Sequence, residues 1–157
     1  MNIRQKLTAM GLAGALALSG GYVAVFEGKE NKAYVDPVGI YTICYGETSG
    51  VKKGMYKTDD ECLESLANEL VKHNEQMMKY VQVPLNTHQQ AAFLSFIYNV
   101  GVGNFKKSTL LRKLNNGDYT GACNELPKWK YAGGQELAGL VSRRDTERKL
   151  CLGELVY

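Results

Sequence analysis

The pattern of apolar and charged residues changes most sharply near the N-terminus. Arg4 and Lys6 precede a run from Leu7 to Phe26 in which no side chain is charged. As a single helix, residues 7–26 would rise about 30 Å, which is roughly the thickness of a membrane's hydrocarbon core. Basic residues ahead of an apolar run predict that the N-terminus stays in the cytoplasm and that the rest of the chain is exported.

This run is only weakly apolar, which affects how firmly it would stay in a membrane. It is rich in alanine and contains Gly11, Gly14, Gly20 and Gly21. The free energy of insertion is therefore predicted to be marginal. We favour an anchor that enters the membrane and is later released. The alternatives are a permanent anchor, a buried helix of a soluble protein, and a signal peptide cleaved after Ala15-Leu16-Ala17, with Leu18 as the mature N-terminus.

Beyond Phe26 the pattern predicts first a β-hairpin and then a long helix. Residues 33–46 are rich in β-formers around Asp36-Pro37-Val38-Gly39, a segment with turn chemistry. Thr58 and Glu61 have the spacing of a helix capping box. Apolar residues at helical spacing follow them, so a helix is predicted from Asp59 to Tyr80.

The second half of the chain has a helical pattern throughout. Residues 91–100 are apolar on nearly all sides, which predicts a buried central helix that ends at Gly101. Further helices are predicted from a Ser108 cap to about Gly117, at 121–126 and at 140–150, with a Gly133-Gly134 loop before the last. The predicted fold is α+β but mainly α. A small β-hairpin lobe and a larger helical lobe are joined by a long helix, with a ligand cleft between the lobes.

Composition narrows the possible classes of protein. A length of 157 residues suits one compact domain. The net charge of +3 and the lack of a basic stripe with interleaved aromatics argue against nucleic acid as a partner. No spacing of Cys and His typical of a metal site occurs, and neither a metal nor a cofactor is expected. Export would make disulfides available to the four cysteines.

Candidate catalytic side chains follow directly after the uncharged run. Glu27 precedes Gly28, which can end a helix, and the negative end of a helix dipole beside apolar neighbours suits a carboxyl that must keep a proton. Asp36 at the turn should be partly solvated, and Thr42 on the returning strand can position a water. Two carboxyls in contrasting environments with a polar aligner fit glycoside hydrolysis. Asp36 before Pro37 is also a common turn residue and Thr42 a common strand residue, so their spacing alone favours structural roles over catalytic ones.

Three blocks of sequence carry a resemblance to a known family, together with the spacing of Glu27, Asp36 and Thr42. They are EGKENKAYVDPVGIYTICYG, VPLNTHQQAAFLSFIYNVGVGNFKKSTLLRKLN and KWKYAGGQELAGLVSRRDTE. Over residues 22–157 the chain resembles the phage-type lysozymes, glycoside hydrolase family 24. With its N-terminal run it is similar to the signal-anchor-release endolysins of lambdoid phages. The resemblance implies a lysozyme-like fold.

The resemblance also implies roles for individual residues. Glu27 would protonate the glycosidic oxygen between N-acetylmuramic acid and N-acetylglucosamine. Asp36 would stabilise the oxocarbenium charge or activate water, and Thr42 would help to place that water. Thr48, Tyr98 and Ser108 occupy positions that resemble substrate-binding residues of the family, although the ring of Tyr98 could equally belong to the core.

The resemblance does not decide the roles of two charged features. Glu47 stands where the family often has His and adds a third carboxyl near the predicted site. Arg143 and Arg144 resemble paired arginines of the family. They would either meet carboxylates of the substrate or pair with Asp145 and Glu147 on their own helix.

The four cysteines allow three pairings. Cys44 and Cys62 belong to the hairpin side of the predicted fold, and Cys123 and Cys151 belong to the helical lobe. We therefore predict the disulfides Cys44–Cys62 and Cys123–Cys151. Free thiols would be expected if the chain stayed in the cytoplasm.

Together these features predict an endolysin that cuts peptidoglycan for host lysis. Residues 1–26 would form the signal-anchor-release segment and residues 27–157 the catalytic domain. The chain would be held at the host inner membrane through residues 7–26, facing the periplasm, and then released into the periplasm as a monomer. On release, Val23, Val25 and Phe26 would be buried and Glu27 would approach Asp36. The alternatives are a constitutively secreted lysozyme with a cleaved signal peptide and a non-catalytic peptidoglycan-binding module.

Overall fold

A computed structural model of the chain describes residues 1–155 and has an α+β, mainly helical architecture. The helices are α1 (Ile3–Ala9), α2 (Gly14–Glu27), α3 (Asp59–Met78), α4 (Thr87–Val100), α5 (Val102–Lys106), α6 (Thr109–Asn115), α7 (Tyr119–Glu125) and α8 (Ala138–Cys151). The strands are β1 (Glu30–Val35), β2 (Tyr41–Cys44), β3 (Tyr131–Ala132) and β4 (Gln135–Glu136). The chain forms two compact units, one ending at Lys72 and the next beginning at His73, so the boundary lies within α3.

The uncharged N-terminal run is divided between two helices. After α1 the chain makes a Schellman turn, in which Leu12 N–H donates to Leu7 C=O (3.2 Å) and Gly11 N–H donates to Thr8 C=O (2.9 Å). Gly11 has φ +93°, a backbone conformation that favours glycine and ends the helix. Within residues 1–155 no helix is long and apolar enough to cross a membrane. The single helix expected over residues 7–26 is therefore not the conformation seen here.

Helix α2 packs closely against α1 and α3 at a glycine. A Cβ built on Gly20 would lie 2.2 Å from Leu7 Cδ1 and 2.8 Å from Leu70 Cδ1. Both leucines are fully buried, so neither side chain has solvent to move into. The absence of a side chain at Gly20 is thus a condition for this packing.

The end of α2 only partly follows the sequence prediction. Val23 is buried, as expected, but Val25 is 79% exposed and Phe26 is half-buried. The predicted burial of Val25 is wrong because residues two positions apart on a helix lie on nearly opposite faces. Residues 1–26 share one compact unit with the hairpin, so the predicted domain boundary after Phe26 remains a prediction for another state of the chain.

The predicted hairpin is confirmed, with a first strand that begins earlier than expected. Strands β1 and β2 are antiparallel, and Tyr34 pairs with Thr42. On its other edge β1 meets the segment before α3, where Lys32 and Tyr56 form an antiparallel bridge. Pairing on both edges extends β1 back to Glu30, because each edge supplies partners for the backbone N–H and C=O groups.

The long helix begins as the sequence predicts. The hydroxyl of Thr58 accepts from Glu61 N–H (3.2 Å), and the Glu61 carboxylate accepts from Thr58 N–H (3.1 Å). This is the expected capping box. The helix ends at Met78, two residues before the predicted Tyr80.

The second unit is organised around α4, which is the buried central helix that the sequence predicts. All residues from Ala91 to Ile97 are buried, and Gly101 ends the helix with φ +82°. Ser108 caps α6, as predicted. The Gly133-Gly134 segment is not a simple loop but joins β3 and β4 in a tight hairpin, with positive φ at both glycines. Strands of two residues are too short to produce a recognisable alternation of apolar and polar side chains.

The structure contains the disulfides Cys44–Cys62 and Cys123–Cys151, in agreement with the predicted pairing. Each lies within one compact unit, so each unit carries its own covalent constraint. Closing loops of 18 and 28 residues restricts the unfolded chain and contributes about 3 kcal/mol to stability in each case.

The packing of α2 predicts opposite effects for two neighbouring glycines. Gly20→Ala adds a methyl group that meets Leu7 and Leu70, and it should lower the free energy of unfolding by about 1–3 kcal/mol. Gly21→Ala is the matched control, since its Cβ would meet only Arg4, at ordinary distances of 3.5 Å to Cβ and 4.0 Å to the backbone nitrogen. It should raise the free energy of unfolding by up to about 1 kcal/mol through helix propensity. Denaturant unfolding of the purified full chain measures both, and equal stabilities would contradict this packing.

Candidate active site

The candidate acid Glu27 is the last residue of α2. Gly28 follows as the cap with φ +69°, and its N–H donates to Ala24 C=O (3.0 Å). The chain then enters β1 at Glu30. The glycine turns the backbone sharply, so the side chain of Glu27 lies where a helix end meets the hairpin, and it is half-exposed.

The carboxyl group of Glu27 lies directly against the backbone of Gly46. A Cβ built on Gly46 would be 2.7 Å from Glu27 Oε2 and 3.2 Å from its Cδ. Gly46 also has φ +75°, which favours glycine on conformational grounds. No larger residue would leave this carboxyl in its present position.

Gly46 belongs to a tight turn that follows β2, the Cys44–Glu47 turn. Ile43 N–H donates to Glu47 C=O and Glu47 N–H donates to Ile43 C=O, both at 2.9 Å. Cys44 has φ +58°, and it is the one non-glycine residue with positive φ in the part of the chain that the structure describes. Such a conformation costs about 1–2 kcal/mol and persists where the surrounding structure holds it in place.

The candidate base or stabiliser Asp36 lies at the end of β1. Its Oδ1 accepts from Val38 N–H and from Ile40 N–H, both at 2.9 Å. These bonds fix the orientation of the carboxyl within the turn. This agrees with the structural role in a turn that the sequence also predicts for Asp36. No bond to Oδ2 occurs within residues 1–155, so that oxygen is available to a water. The side chain is half-exposed, as predicted.

Thr42 lies on β2 and is only 4% exposed. Its hydroxyl donates to Ile40 C=O (3.1 Å), so the proton is already committed and the oxygen remains an acceptor. A water near Thr42 would therefore donate to it. This direction of hydrogen bonding suits a role in orienting a water.

Tyr34, which the sequence analysis did not single out, lies in the same electrostatic environment. Partial burial raises the pKa of its hydroxyl, and the negative charges of Glu27, Glu30 and Asp36 raise it further. The phenol therefore stays protonated near neutral pH and remains a hydrogen-bond donor. The pairing of Tyr34 with Thr42 across the strands would have identified Tyr34 as a neighbour of the site. That register is known only from the folded hairpin.

Each of the three predicted substrate-binding residues has a local environment of its own. Thr48 is exposed, two residues after Gly46. Tyr98 is half-exposed, and its ring centroid lies 5.3 Å from that of His73. Ser108 is buried as a helix cap: its hydroxyl donates to Phe105 C=O (2.7 Å) and accepts from Leu111 N–H (3.0 Å). A role for these three residues in binding substrate stays a prediction.

The paired arginines form a buried ion-pair network. Arg143 Nε lies 3.2 Å from Glu147 Oε2, and Arg144 Nε lies 2.6 Å from Glu147 Oε1. Ser95 donates to the same carboxylate at 2.7 Å. All four residues are at most 4% exposed, so pairing within the helix is the observed arrangement.

Two further carboxylates have partners that the sequence analysis did not identify. Asp145 does not pair with the arginines but with Lys149, at 3.0 Å on the exposed face of α8. That part of the prediction is wrong because Asp145 and Glu147 are two positions apart and face different sides of the helix. Glu47 pairs with Lys57 at 3.0 Å, so the third carboxyl near the site does not remain an uncompensated charge.

The chemistry available at this junction is acid–base chemistry on a bound water. Two carboxyls come from adjacent elements, an acceptor hydroxyl lies on the paired strand and a protonated phenol lies beside them. Within residues 1–155 no group of three or more His, Cys, Asp and Glu side chains is arranged to hold a metal ion.

A helix that ends on a β-hairpin, followed by a helical unit around one buried helix, is the architecture of a lysozyme-like protein. Comparison with known families agrees with this class. Residues 24–147 match the family described as phage lysozyme, and the chain belongs to that family. It is accordingly a glycoside hydrolase of the lysozyme type, in a family that acts on peptidoglycan.

Individual relatives support the same assignment. The chain is 41% identical to the SAR-endolysin of Bacteriophage PS119, over 87% of this chain and 90% of the relative. It is 39% identical to the SAR-endolysin of Enterobacteria phage P21, over 88% of this chain and 92% of the relative. Among solved structures, a variant of P22 lysozyme superposes with a TM-score of 0.74 at 36% identity, over 85% of this chain and 94% of that one.

The contact between Gly46 and Glu27 predicts a specific loss of activity on substitution. Gly46→Ala would force the carboxyl of the candidate acid Glu27 aside, and we expect activity to fall by about 100-fold, the loss that a misplacement of about 1 Å can cause. Gly50→Ala is the matched control, because Gly50 has a similar φ of +70° but open space around its Cβ. Release of soluble fragments from purified peptidoglycan measures activity, and circular dichroism confirms folding. Equal activities of the two folded variants would contradict the importance of this contact.

Proposed function

We propose that the protein is a muramidase that hydrolyses the β-1,4 bond between N-acetylmuramic acid and N-acetylglucosamine, for lysis of the host cell. Glu27 is the general acid, Asp36 activates water or stabilises positive charge, and Thr42 orients the water. The observation that carries this proposal is the junction of α2 and the hairpin, where the Glu27 carboxyl lies on Gly46 beside the strand pair that bears Asp36 and Thr42. Membership of the phage lysozyme family supports the same roles.

The proposed reaction uses the hydrogen-bonding capacity of each residue. Glu27 gives its proton to the glycosidic oxygen as the bond from that oxygen to the anomeric carbon breaks. The oxocarbenium-like centre is attacked by water, which donates one hydrogen bond to Asp36 Oδ2 and one to Thr42 Oγ1. Asp36 accepts the proton that the water loses, and the transition state gains from its negative charge. The turn bonds to Asp36 Oδ1 keep the other carboxyl oxygen oriented for this step.

Substitution of the acid tests this assignment. Glu27→Gln keeps the size of the side chain but cannot donate a proton of the required acidity, and the rate should fall about 100- to 10,000-fold. Glu30→Gln is the control, since Glu30 is a nearby exposed carboxyl with no assigned role. Mass spectrometry of the products should find N-acetylmuramic acid at the new reducing ends. Wild-type rates in folded Glu27→Gln, or N-acetylglucosamine at those ends, would contradict the proposal.

We further propose that residues 7–26 hold the chain at the inner membrane, facing the periplasm, until it is released. The support is the uncharged run behind Arg4 and Lys6 and the relatives named SAR-endolysins. In this proposal the structure described here is the released form. While the run is in lipid, Gly20 cannot pack against Leu7 and Leu70, and the last turn of α2 cannot bring Glu27 to Gly46. The enzyme would therefore be inactive before release.

Strengthening the anchor without disturbing the folded enzyme tests this control. Gly14→Leu makes the run more apolar, and a Cβ at Gly14 meets nothing within 4 Å in the folded chain. We expect later lysis of expressing cells and unchanged specific activity of the released protein. Gly139→Leu is the control, because Gly139 also has open space but lies outside the run.

The chemical state of the N-terminus decides between release and cleavage. Intact mass of the periplasmic protein should include the whole N-terminal run, whereas a chain beginning at Leu18 would establish the secreted lysozyme with a cleaved signal. Equal specific activities of membrane-bound and released protein would contradict inactivation by the membrane.

A further inference from the structure

We propose that the ion pair between Glu47 and Lys57 is a positioning device for the acid Glu27, acting through the backbone of Gly46. The proposal rests on the proposed function, since it takes Glu27 as the general acid. Neither charged side chain touches the reacting atoms in this scheme. Both are positioning residues: they hold the backbone of Gly46, against which the Glu27 carboxyl lies.

The first step is the short mechanical link from Glu47 to Glu27. Glu47 is the residue directly after Gly46, and its backbone closes the Cys44–Glu47 turn through two hydrogen bonds with Ile43. A shift of Glu47 therefore moves Gly46. A Cβ built on Gly46 would lie 2.7 Å from Glu27 Oε2, so the carboxyl occupies the space beside the Gly46 backbone, and a shift of Gly46 changes the surface against which Glu27 lies.

The second step is the geometry of the ion pair. Lys57 Nζ donates to both oxygens of Glu47, at 3.1 Å and 3.0 Å, and to Ser65 Oγ at 3.0 Å. The side chains of Lys57 and Glu47 are only 23% and 17% exposed. A partly buried ammonium group with three fixed acceptors holds its partner more firmly than an exposed pair does.

The third step is that Lys57 itself is held in place. Its N–H donates to Asn31 C=O, and its C=O accepts from Asn31 Nδ2, both at 2.8 Å. Asn31 lies on β1, the strand that runs from the end of α2 towards Asp36. The ion pair thus connects this strand to the turn that supports Glu27.

The other end of the turn is fixed covalently. Cys44 is joined to Cys62, which lies on α3 one helical turn before Ser65. The turn is therefore attached to α3 at Cys44 by the disulfide and at Glu47 through Lys57 and Ser65. Two attachments on either side of Gly46 explain how the turn keeps positive φ at both Cys44 and Gly46.

Removal of either charge should lower the turnover rate and leave substrate binding nearly unchanged. Lys57→Met leaves Glu47 charged, partly buried and unpaired, so the turn should relax and displace Gly46. Glu47→Gln removes the pair from the other side. We expect kcat to fall about tenfold in each variant, with KM within about twofold, on soluble uncrosslinked glycan strands. Lys57→Arg keeps the charge and should retain most of the wild-type kcat.

A double variant distinguishes one shared positioning effect from two independent losses of kcat. If both residues act through one ion pair, Glu47→Gln combined with Lys57→Met should lower kcat about as much as one single substitution does. A product of the two single losses, about 100-fold, would overturn the proposal. Lys149→Met is the matched control, because it breaks an exposed pair with Asp145 and should leave kcat unchanged.

Further outcomes distinguish this proposal from the proposed function. Wild-type kcat in Lys57→Met together with an inactive Glu27→Gln would overturn the positioning role and leave the acid assignment in place. An active Glu27→Gln would overturn the acid assignment itself. Thermal unfolding is measured for every variant. If the loss of kcat disappeared at an assay temperature well below all the unfolding transitions, or if Lys57→Arg lost as much as Lys57→Met, a merely structural role would be established.

Discussion

The close approach of α2 to α1 and α3 at Gly20 is the contact on which the active-site junction depends. It allows Leu7 and Leu70 to fill the space that a side chain at position 20 would occupy, and so it determines where α2 packs. Glu27 is the last residue of that helix, and its carboxyl meets Gly46 at the other side of the junction. Each of the two contacts requires a glycine. Together they define the position of Glu27: Gly20 sets where α2 lies, and Gly46 provides the surface against which the carboxyl lies.

The composition of α2 suits close packing in the folded chain and would favour only weak insertion in the proposed membrane-held state. Small residues such as Gly20 weaken insertion into a membrane and permit close packing in the folded chain. The hydroxyl of Ser19 is buried without a hydrogen-bond partner, and it is the one such side-chain atom within the described residues. An unsatisfied buried hydroxyl costs about 1–3 kcal/mol. The buried hydroxyl and the weak apolar character of α2 are both consistent with a segment proposed to pass from lipid into the folded protein.

The elements that sequence patterns predicted best are those governed by neighbouring residues. The capping box of Thr58 and Glu61, the apolar surface of α4 and the turn after Asp36 all depend on residues a few positions apart, and all were confirmed. The burial of Val25 and the pairing of Asp145 were wrong because helix geometry places them away from their expected partners. The hairpin of β3 and β4 was missed because its strands are too short to show a pattern.

The sequence by itself determined the β1–β2 hairpin and the main helices after residue 58, because caps, periodicity and turn chemistry act over short stretches of chain. It placed the cysteines in two predicted lobes, and its resemblance to phage-type lysozymes supplied the candidates Glu27, Asp36 and Thr42. Only the tertiary structure decided what each candidate touches. The Glu27 carboxyl lies on Gly46, Glu47 is neutralised by Lys57, and Glu147 binds Ser95 across 52 positions of sequence. These contacts join residues whose separation along the chain carries no periodic signal, so they exist only once hydrophobic burial has brought the elements together.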